Sequence, residues 1–377
     1  MVECPELDLL RLKVAMLTQG VTLPSTESAT RKGGAGPTEG RYFLLDDEVV
    51  VNAPVRHGDQ AKRFHALQLK ESSNGRFRVQ GFGRTEVEIR AVPLPRFYTL
   101  RLPNGTPMSY VALVHGIDCL ATTIVQHCDY FDEGTQCRFC SLPVSLELGH
   151  TILRKTPEQF LAVLQAAERE GRVSHLTLTL GSPNRVDRGI NDYVEFVAAL
   201  RQQTSIPIHA QVEPPTPLDQ LEALREVGVD TVGIHIEIFE DNLRRRFCPG
   251  KFKHASLTDY RNAWSRAVDL FGRGQVTTFV LLGLGEDSKK LHAGFRTCAE
   301  IGVIPVPVPC RPNPGSQLEH FLPTYINHPS QTVDIYLDCA RLLHRAGLDP
   351  SAHRAGCLRC SGCTAITEAY KVIDAAG

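Results

Sequence analysis

The chain has 377 residues, 42% of them hydrophobic and 22% charged, and its formal net charge is −1. These proportions are typical of a soluble globular enzyme, and the length allows a barrel with a smaller appended domain. The near-zero net charge argues against a nucleic-acid-binding protein, which would carry a basic excess. No apolar run approaches the roughly 20 residues that span a bilayer, so we expect no membrane association.

The N-terminal segment 1–17 mixes acidic and apolar residues and lacks a basic start. A secretory signal would begin with positive charge before its apolar stretch. We therefore predict a cytoplasmic protein.

Residues 1–108 lack the regular alternation seen later in the chain and indicate a small, mainly β domain. Its β-like segments are Arg41–Val51, Arg76–Val79 and Glu86–Val92. A glycine-rich stretch, Arg31–Pro37, precedes them. Backbone amides of such a stretch can form a nest that binds an anion, and a mobile surface loop is the alternative that we favour.

Residues 109–325 alternate between short β-rich runs and amphipathic helical patterns. Such alternation predicts βαβ units and a parallel sheet. Six strands are fewer than the eight of a closed barrel, so the expected fold is α/β, a partial (β/α)6 barrel of the TIM type. The predicted strands are Cys119–Gln126, His175–Leu180, Ile206–Val212, Thr231–Ile236, Val276–Leu282 and Val303–Val308.

Helix boundaries are marked by capping residues. Thr156 followed by Pro157 and Gln159 predicts an N-cap with a capping box, and Thr216-Pro217 repeats the start signal. Residues 326–377 form a C-terminal segment with one more helix and a group of cysteines. The other predicted helices are Ser256–Phe271, Asp287–Ile301 and Ser330–Ala346.

Six of the twelve cysteines fall into two tight groups. In a cytosolic enzyme, clustered cysteines bind metal more often than they form disulfides. The first group, Cys128, Cys137 and Cys140, directly follows the first predicted strand, on the face where barrels place their chemistry. Three thiolates on one loop can hold three irons of a [4Fe–4S] cluster and leave the fourth iron open. Zinc, with His127 as a fourth ligand, is the alternative, although zinc sites usually come as two short pairs.

With Phe139 before its last cysteine, this loop resembles the cluster loop of the radical S-adenosylmethionine (SAM) superfamily, most closely the biotin-synthase and lipoyl-synthase-like branch. Its first interval has eight residues where the family usually has three. The resemblance implies a catalytic [4Fe–4S] cluster on Cys128, Cys137 and Cys140, with Phe139 beside the SAM that the open iron binds. It also implies a small-molecule substrate and an external electron donor such as ferredoxin or flavodoxin.

Downstream segments carry the resemblance further. Gly233–Glu237 and Leu243–Gly250 look like the lipoyl-synthase-type segment that binds the methionine moiety of SAM. By position, Glu237 would accept from the SAM ammonium and Arg245 would pair with its carboxylate. The turn Gly283-Leu284-Gly285-Glu286 is similar to a turn of the same enzymes, which implies that Gly283 and Gly285 approach the nucleoside.

The usual Gly-Gly-Glu after the second strand is replaced here by Leu180–Asn184. Binding of the SAM amino group there would use backbone carbonyls, Thr179 or Ser182. Gln211 and Glu213 end the third strand, where either could bind the SAM ribose or the substrate or serve only at the core edge. The sixth strand continues into Arg311–Ser316, which is like the proline-rich loop of the same branch.

The second group, Cys357, Cys360 and Cys363, reproduces the first three positions of the bacterial ferredoxin cluster run. We predict a second, auxiliary [4Fe–4S] cluster, with Cys310 as a possible fourth ligand; zinc or a metal-free thiol group are the alternatives. Nearly the whole chain also resembles an uncharacterised bacterial radical SAM family that accompanies nitrilase-type genes.

The predicted function is therefore a radical SAM enzyme that cleaves SAM at the first cluster to give a 5′-deoxyadenosyl radical. Sulfur insertion, oxidation and rearrangement of the substrate are all compatible with the residues. Two other classes stay open. One is a non-catalytic iron–sulfur or zinc-binding protein, and the other is a zinc-dependent barrel hydrolase, for which His209 and His235 are candidate ligands.

Overall fold

The computed structural model describes residues 5–24, 33, 38–73, 75–80, 86–183, 185–326 and 328–376. Of the glycine-rich stretch 31–37, only Gly33 lies within these residues, so the anion-nest hypothesis concerns residues outside the described ones. Asn184 also lies outside them.

The N-terminal part of the chain begins with a buried helix and continues into a five-stranded antiparallel sheet of order β3-β2-β7-β6-β5. The predicted β segments all fall within this sheet. The elements are α1 (Pro5–Thr18), β1 (Val21–Thr22), β2 (Gly40–Leu45), β3 (Val49–Pro54), α2 (Gly58–Arg63), β4 (Leu67–Gln68), β5 (Lys70–Ser73), β6 (Arg76–Val79), β7 (Val87–Ala91) and α3 (Met108–Val111). A 3-10 turn at Arg96–Thr99 leads toward the barrel.

A seven-stranded sheet forms the centre of the molecule, with its strands in chain order. Six strands are parallel, and the first, short strand pairs antiparallel at one edge. The strands are β8 (Leu113–His115), β9 (Cys119–Thr123), β10 (His175–Thr179), β11 (Ile208–Val212), β12 (Thr231–Ile234), β13 (Val276–Leu282) and β14 (Ile304–Pro309). Each of the six predicted strands is present, which confirms the partial (β/α) barrel.

The helices of the barrel follow the strands in the alternation that the sequence predicts. Their apolar faces and the sheet enclose the largest buried cluster, which includes Leu176, Val197 and Trp264. The helices are α4 (Asp129–Asp132), α5 (Val144–Glu147), α6 (Pro157–Arg169), α7 (Ile190–Arg201), α8 (Gln220–Glu226), α9 (Asp241–Phe247), α10 (Pro249–His254), α11 (Leu257–Phe271) and α12 (Ser288–Ile301).

Capping explains where most of these helices begin. Thr156 and Gln159 form the predicted capping box of α6, and Ser256 and Asp259 form another at α11. The expected start at Thr216-Pro217 is wrong, because the Thr216 amide donates to the Val186 carbonyl in the preceding loop and α8 begins only at Gln220.

The C-terminal residues pack against both earlier parts of the chain. They form α13 (Pro329–Arg345), α14 (Gly356–Cys360) and α15 (Ile366–Asp374), with 3-10 turns at Thr324–Ile326 and Pro350–Ala352. A second buried cluster joins Phe43 of β2, Val280 of β13, Tyr336 of α13 and Ile366 of α15. Because this core is shared, it assigns no domain boundaries, and those expected at residues 108 and 325 stay predictions. No described helix is both long and apolar enough to span a membrane.

Candidate active site

A cavity of about 340 Å³ lies inside the half-barrel, and we call it the central cavity. Its lining includes all three cysteines of the first group and two of the second, Cys357 and Cys363. All eleven described cysteines are free thiols. The two cysteine groups, which are more than 200 residues apart in sequence, therefore reach one enclosed space.

The first cysteine group is held by backbone hydrogen bonds from neighbouring loops. Cys128 is the N-cap residue of α4, and the backbone amide of the next residue, Asp129, donates to the Ser182 carbonyl at 2.9 Å. The loops approach so closely that a Cβ atom on Gly181 would lie 1.7 Å from the His127 carbonyl oxygen, which explains a glycine there. The Arg138 amide, next to Cys137, donates to the Phe247 carbonyl at 2.8 Å. The long first interval thus holds a helical turn, and its ends are tied to β10 and α9.

The sulfur atoms of the two cysteine groups are not gathered as closely as the ligands of a zinc ion. A tetrahedral zinc site with bonds of about 2.3 Å would bring its sulfur atoms about 3.8 Å apart. In neither cysteine group, all of whose members are described, do three sulfur atoms lie within 4.8 Å of one another. Burial raises the pKa of Cys128 to about 11 and that of Cys140 to about 12, so a bound cation is needed to keep them as thiolates.

The structure does not place His127 as a fourth ligand beside the three cysteines of the first group. Its Nε2 atom lies 3.1 Å from an Asp129 oxygen and 3.3 Å from an Asp132 oxygen. The three form an exposed group that could hold a cation, and such acidic groups are common without one.

A buried carboxylate, Glu237, and two partly buried residues, Glu213 and Lys251, form a charged group in the central cavity. Glu237 follows β12 and accepts from the Lys251 Nζ atom at 2.7 Å, while its other oxygen has no partner among the described residues. Glu213, which follows β11, lies 3.9 Å from the same ammonium and accepts from the Tyr130 hydroxyl at 2.9 Å and from the Ser182 hydroxyl. Fully ionised, the group has two negative charges and one positive charge.

The ionisation of this group depends on its burial. Burial raises the pKa of Glu237, although Lys251 opposes the shift. Burial alone would lower the pKa of Lys251, but the charges of Glu237 and Glu213 raise it well above its usual value. Lys251 is therefore an ammonium ion throughout the physiological range.

Arg245 is not brought to the central cavity. Helix α9 buries Leu243, Arg244 and Phe247, so the 3.6-residue period turns Arg245 to the opposite, exposed face. Its guanidinium carbon lies 5.0 Å from the Phe252 ring centroid. The cation that lies beside Glu237 is instead Lys251 on α10, which sequence reasoning missed. In the sequence, the only hint of this placement of Lys251 is Pro249, which begins a second short helix after α9 and changes the direction of the chain.

Gly283 and Gly285 are also not among the cavity-lining residues. The Glu286 carboxylate accepts from the amides of Gly283 at 2.7 Å and Leu284 at 2.8 Å, so the turn closes on itself. Both glycines have positive φ, and a Cβ on Gly283 would lie 2.5 Å from the Tyr325 ring. Backbone geometry and packing account for these glycines.

The other predicted cofactor residues do line the central cavity. Phe139 packs beside Cys140, and the Thr179 hydroxyl donates to that of Thr123 at 2.9 Å. Ser182 and Glu213 line it as part of the polar group described above. Four of the expected cofactor-binding residues therefore line the same cavity as Glu237: Phe139, Thr179, Ser182 and Glu213.

The second cysteine group lies at the amino-terminal ends of the barrel strands. The amide of Gly356 donates to His175, the first residue of β10, at 3.0 Å, and Arg354 donates to the Asp230 carbonyl before β12 at 2.9 Å. Cys357 accepts from the Gln211 side-chain amide at 3.2 Å, from within the barrel. Cys310 also lines the central cavity, where it packs in an apolar cluster with Cys137 and Cys248.

Lys13 of α1 stabilises this end of the barrel. It is 0% exposed, and its Nζ atom lies 2.7 Å from a Glu368 oxygen on α15 and 3.1 Å from the Ser361 hydroxyl. Ser361 follows Cys360 in a left-handed conformation with φ of 55°. An N-terminal lysine thus holds the turn between two of the cysteines.

His209 and His235 are buried but are not brought together with an acidic ligand. His209 Nδ1 shares a hydrogen bond with the Thr231 hydroxyl at 2.7 Å, and His235 Nδ1 accepts from the Phe279 amide at 3.0 Å. Burial lowers the pKa of His235 to about 3. Both imidazoles are packed, neutral side chains of the barrel interior.

Fold and site together define a half-barrel with a three-thiolate loop at the carboxyl ends of its strands. Residues 126–293 match the Radical SAM superfamily. These residues form a Radical SAM domain, and such a domain implies a [4Fe–4S] cluster and SAM.

One curated relative is bacteriochlorophyllide c C-7(1)-hydroxylase from Chlorobaculum limnaeum, 26% identical over 260 residues. The alignment covers 63% of this chain and 64% of that protein. Among solved structures, methylornithine synthase is 19% identical with a TM-score of 0.47, covering 61% of this chain and 64% of its own. HydG, a maturase of the [FeFe]-hydrogenase, is 16% identical with a TM-score of 0.48, covering 63% and 52%.

Proposed function

We propose that this chain reductively cleaves SAM and uses the resulting radical on a small-molecule substrate. The observation that carries the proposal is one cavity that combines three thiols on a loop with a buried carboxylate–lysine group. When bound, a [4Fe–4S] cluster and SAM supply one-electron cleavage of SAM to methionine and a 5′-deoxyadenosyl radical, which abstracts a hydrogen atom. Cys128, Cys137 and Cys140 would hold the cluster.

The charges of the cavity match those of SAM. SAM carries an ammonium, a sulfonium and a carboxylate, so its net charge is positive by one unit. Glu213, Glu237 and Lys251 together carry the opposite net charge when ionised. We assign the free oxygen of Glu237 to the ammonium and Lys251, in place of Arg245, to the carboxylate.

The remaining residues orient and enclose the reactants. Ser182 and Tyr130 hold the Glu213 carboxylate in place through their hydroxyls. Phe139 and Thr179 add an apolar face and a hydroxyl to the wall of the cavity. With its ligands bound, the cavity would exclude water from the reacting atoms, which a radical reaction requires.

For Cys357, Cys360 and Cys363 we propose a second [4Fe–4S] cluster. Support comes from the ferredoxin-like sequence spacing of the three cysteines and from the position of Cys357 and Cys363 on the central cavity. A substrate in that cavity would touch both centres, which is compatible with sulfur insertion or oxidation. The 26% identical relative is named a hydroxylase, and hydroxylation also starts from a C–H bond.

The test is SAM titration of anaerobically reconstituted protein. Glu237→Gln and Lys251→Met should each weaken SAM binding by about ten- to hundredfold, because each removes a charge-assisted contact. Arg245→Ala is the matched control on the exposed face of α9 and should bind SAM like the wild type. Equal SAM affinity in all four proteins, at unchanged iron content, would refute the assignment.

A further inference from the structure

Arg311 is a buried cation on the wall of the central cavity. It follows β14 and is 6% exposed. Its Nη1 atom donates to the Asn52 side-chain oxygen at 3.1 Å, and Nη2 donates to the Asn52 backbone carbonyl. The guanidinium is therefore held by the N-terminal sheet, from outside the barrel.

Asn52 is itself fixed on several sides. It is 0% exposed on β3, and its amide donates to the Gly362 carbonyl, beside Cys363, at 2.7 Å. A Cβ atom on Gly40 of β2 would lie 2.0 Å from the Asn52 side-chain oxygen, so a glycine is needed for this side chain to reach Arg311. The orientation of Arg311 is thus set before any ligand arrives.

Arg311 has no carboxylate partner in the described part of the chain. Among the described residues, both hydrogen-bond acceptors of its guanidinium belong to Asn52, a neutral side chain. A guanidinium has five N–H donors, so three remain for a ligand. Another buried cation, Arg56 of the N-terminal part, has its pKa lowered to about 10 by burial and, in part, by repulsion from Arg311. A buried charge is costly unless it is paired, so this site lacks an anion.

We propose that the substrate carries a carboxylate group, which Arg311 binds together with Asn313. Asn313 lies two residues further along, is also buried and also lines the central cavity. This proposal rests on the proposed function and adds the substrate class.

A carboxylate fits better than a phosphate group. Two further cations line the cavity: Lys251 is already paired with Glu237 and Glu213, and Arg188, in the loop after β10, donates to the Pro183 carbonyl at 3.5 Å. One free guanidinium and one amide balance a single negative charge, whereas a dianionic phosphate would need further cations. Arg311 follows β14, whereas Glu237 and Lys251 belong to the β12 side of the barrel, so the two sites are formed by different elements.

The experiment uses wild-type holoenzyme saturated with SAM under anaerobic conditions. Small aliphatic and aromatic carboxylates, each paired with its carboxamide, and inorganic phosphate are titrated by calorimetry. The variants are Arg311→Gln, Arg311→Lys, Asn313→Ala and, as a matched control, Arg341→Gln at an exposed position of α13. Iron content and SAM affinity are measured on every preparation.

We expect carboxylates to bind in preference to their carboxamides and to phosphate. Arg311→Gln should lose roughly ten- to hundredfold in carboxylate affinity, the worth of a charge-assisted contact, and Arg311→Lys should keep part of the preference. Asn313→Ala should weaken binding without changing the fold, so the test holds even if Arg311→Gln misfolds. SAM affinity should be unchanged in all variants.

Three results would overturn the proposal: carboxamides or phosphate binding as tightly as carboxylates, a carboxylate preference that survives in Arg311→Gln, or a fall in SAM affinity when Arg311 is replaced. SAM cleavage to 5′-deoxyadenosine is assayed separately. Wild-type protein that binds carboxylates through Arg311 but does not cleave SAM would refute the proposed function alone.

Discussion

Replacing Lys13 by methionine tests how the ends of the chain stabilise the second cysteine group. The lysine is fully buried, 2.7 Å from the Glu368 carboxylate, whose side chain is only 7% exposed. Methionine has a similar length, so the change removes the charge and leaves little empty volume. The Glu368 carboxylate would then stay buried without the ammonium, and breaking such a pair costs about 3–5 kcal/mol.

The measurement is urea unfolding of the reconstituted protein, followed by circular dichroism. Arg11→Met on the same helix is the control. Its pair with Asp8, at 3.3 Å with the arginine side chain 45% exposed, should contribute less than about 1 kcal/mol. Lys13→Met combined with Glu368→Leu should regain most of the loss, because an apolar pair leaves no buried charge. A loss for Lys13→Met no larger than that for Arg11→Met would refute this reasoning.

Three further predictions concern the site. SAM affinity should fall on acidification at a pH above the usual titration of a glutamate, since burial raises the pKa of Glu237 and its neutral form cannot pair with an ammonium. In Glu237→Gln, the SAM dissociation constant should lose this pH dependence. The wild-type protein should carry about eight irons per chain, and replacing Cys357, Cys360 and Cys363 together by alanine should halve that number. SAM cleavage should persist in this variant, whereas product formation should be abolished. A wild-type count near four irons, with stoichiometric zinc, would contradict this prediction. Gly181→Ala should reduce iron at the first site, because its methyl group would overlap the His127 carbonyl at 1.7 Å, and unchanged iron by elemental analysis would show that the loop can move aside.

The barrel was predictable because the local sequence patterns of its strands and helices agree with which of their residues are buried. Strands such as β12 and β13 are short runs rich in β-branched and apolar residues, and α6, α11 and α12 begin at side-chain caps that the sequence displays. The cysteine loop was predictable for a related reason, since its spacing is a local property and it follows a predicted strand.

The charged residues of the site depend on contacts that local patterns do not contain. Which face of α9 is buried is decided by tertiary packing, so sequence position selected Arg245 although Arg244 faces inward. Lys13 and Ser361 are 348 residues apart, and Arg311 and Asn52 are 259 apart. Gly283 and Gly285 adopt the positive φ angles that their turn requires. A sequence motif alone cannot distinguish this conformational requirement from contact with a ligand.

The central claim is that the first cysteine group supports cleavage of SAM. The direct measurement is 5′-deoxyadenosine formed by anaerobically reconstituted, dithionite-reduced protein, compared with the variant in which Cys128, Cys137 and Cys140 are all alanine. We predict 5′-deoxyadenosine from the wild type and none from the variant, while Cys298→Ala, a buried cysteine of α12 outside both groups, retains activity. Equal 5′-deoxyadenosine formation by the triple variant and the wild type, or none by either, would contradict the account.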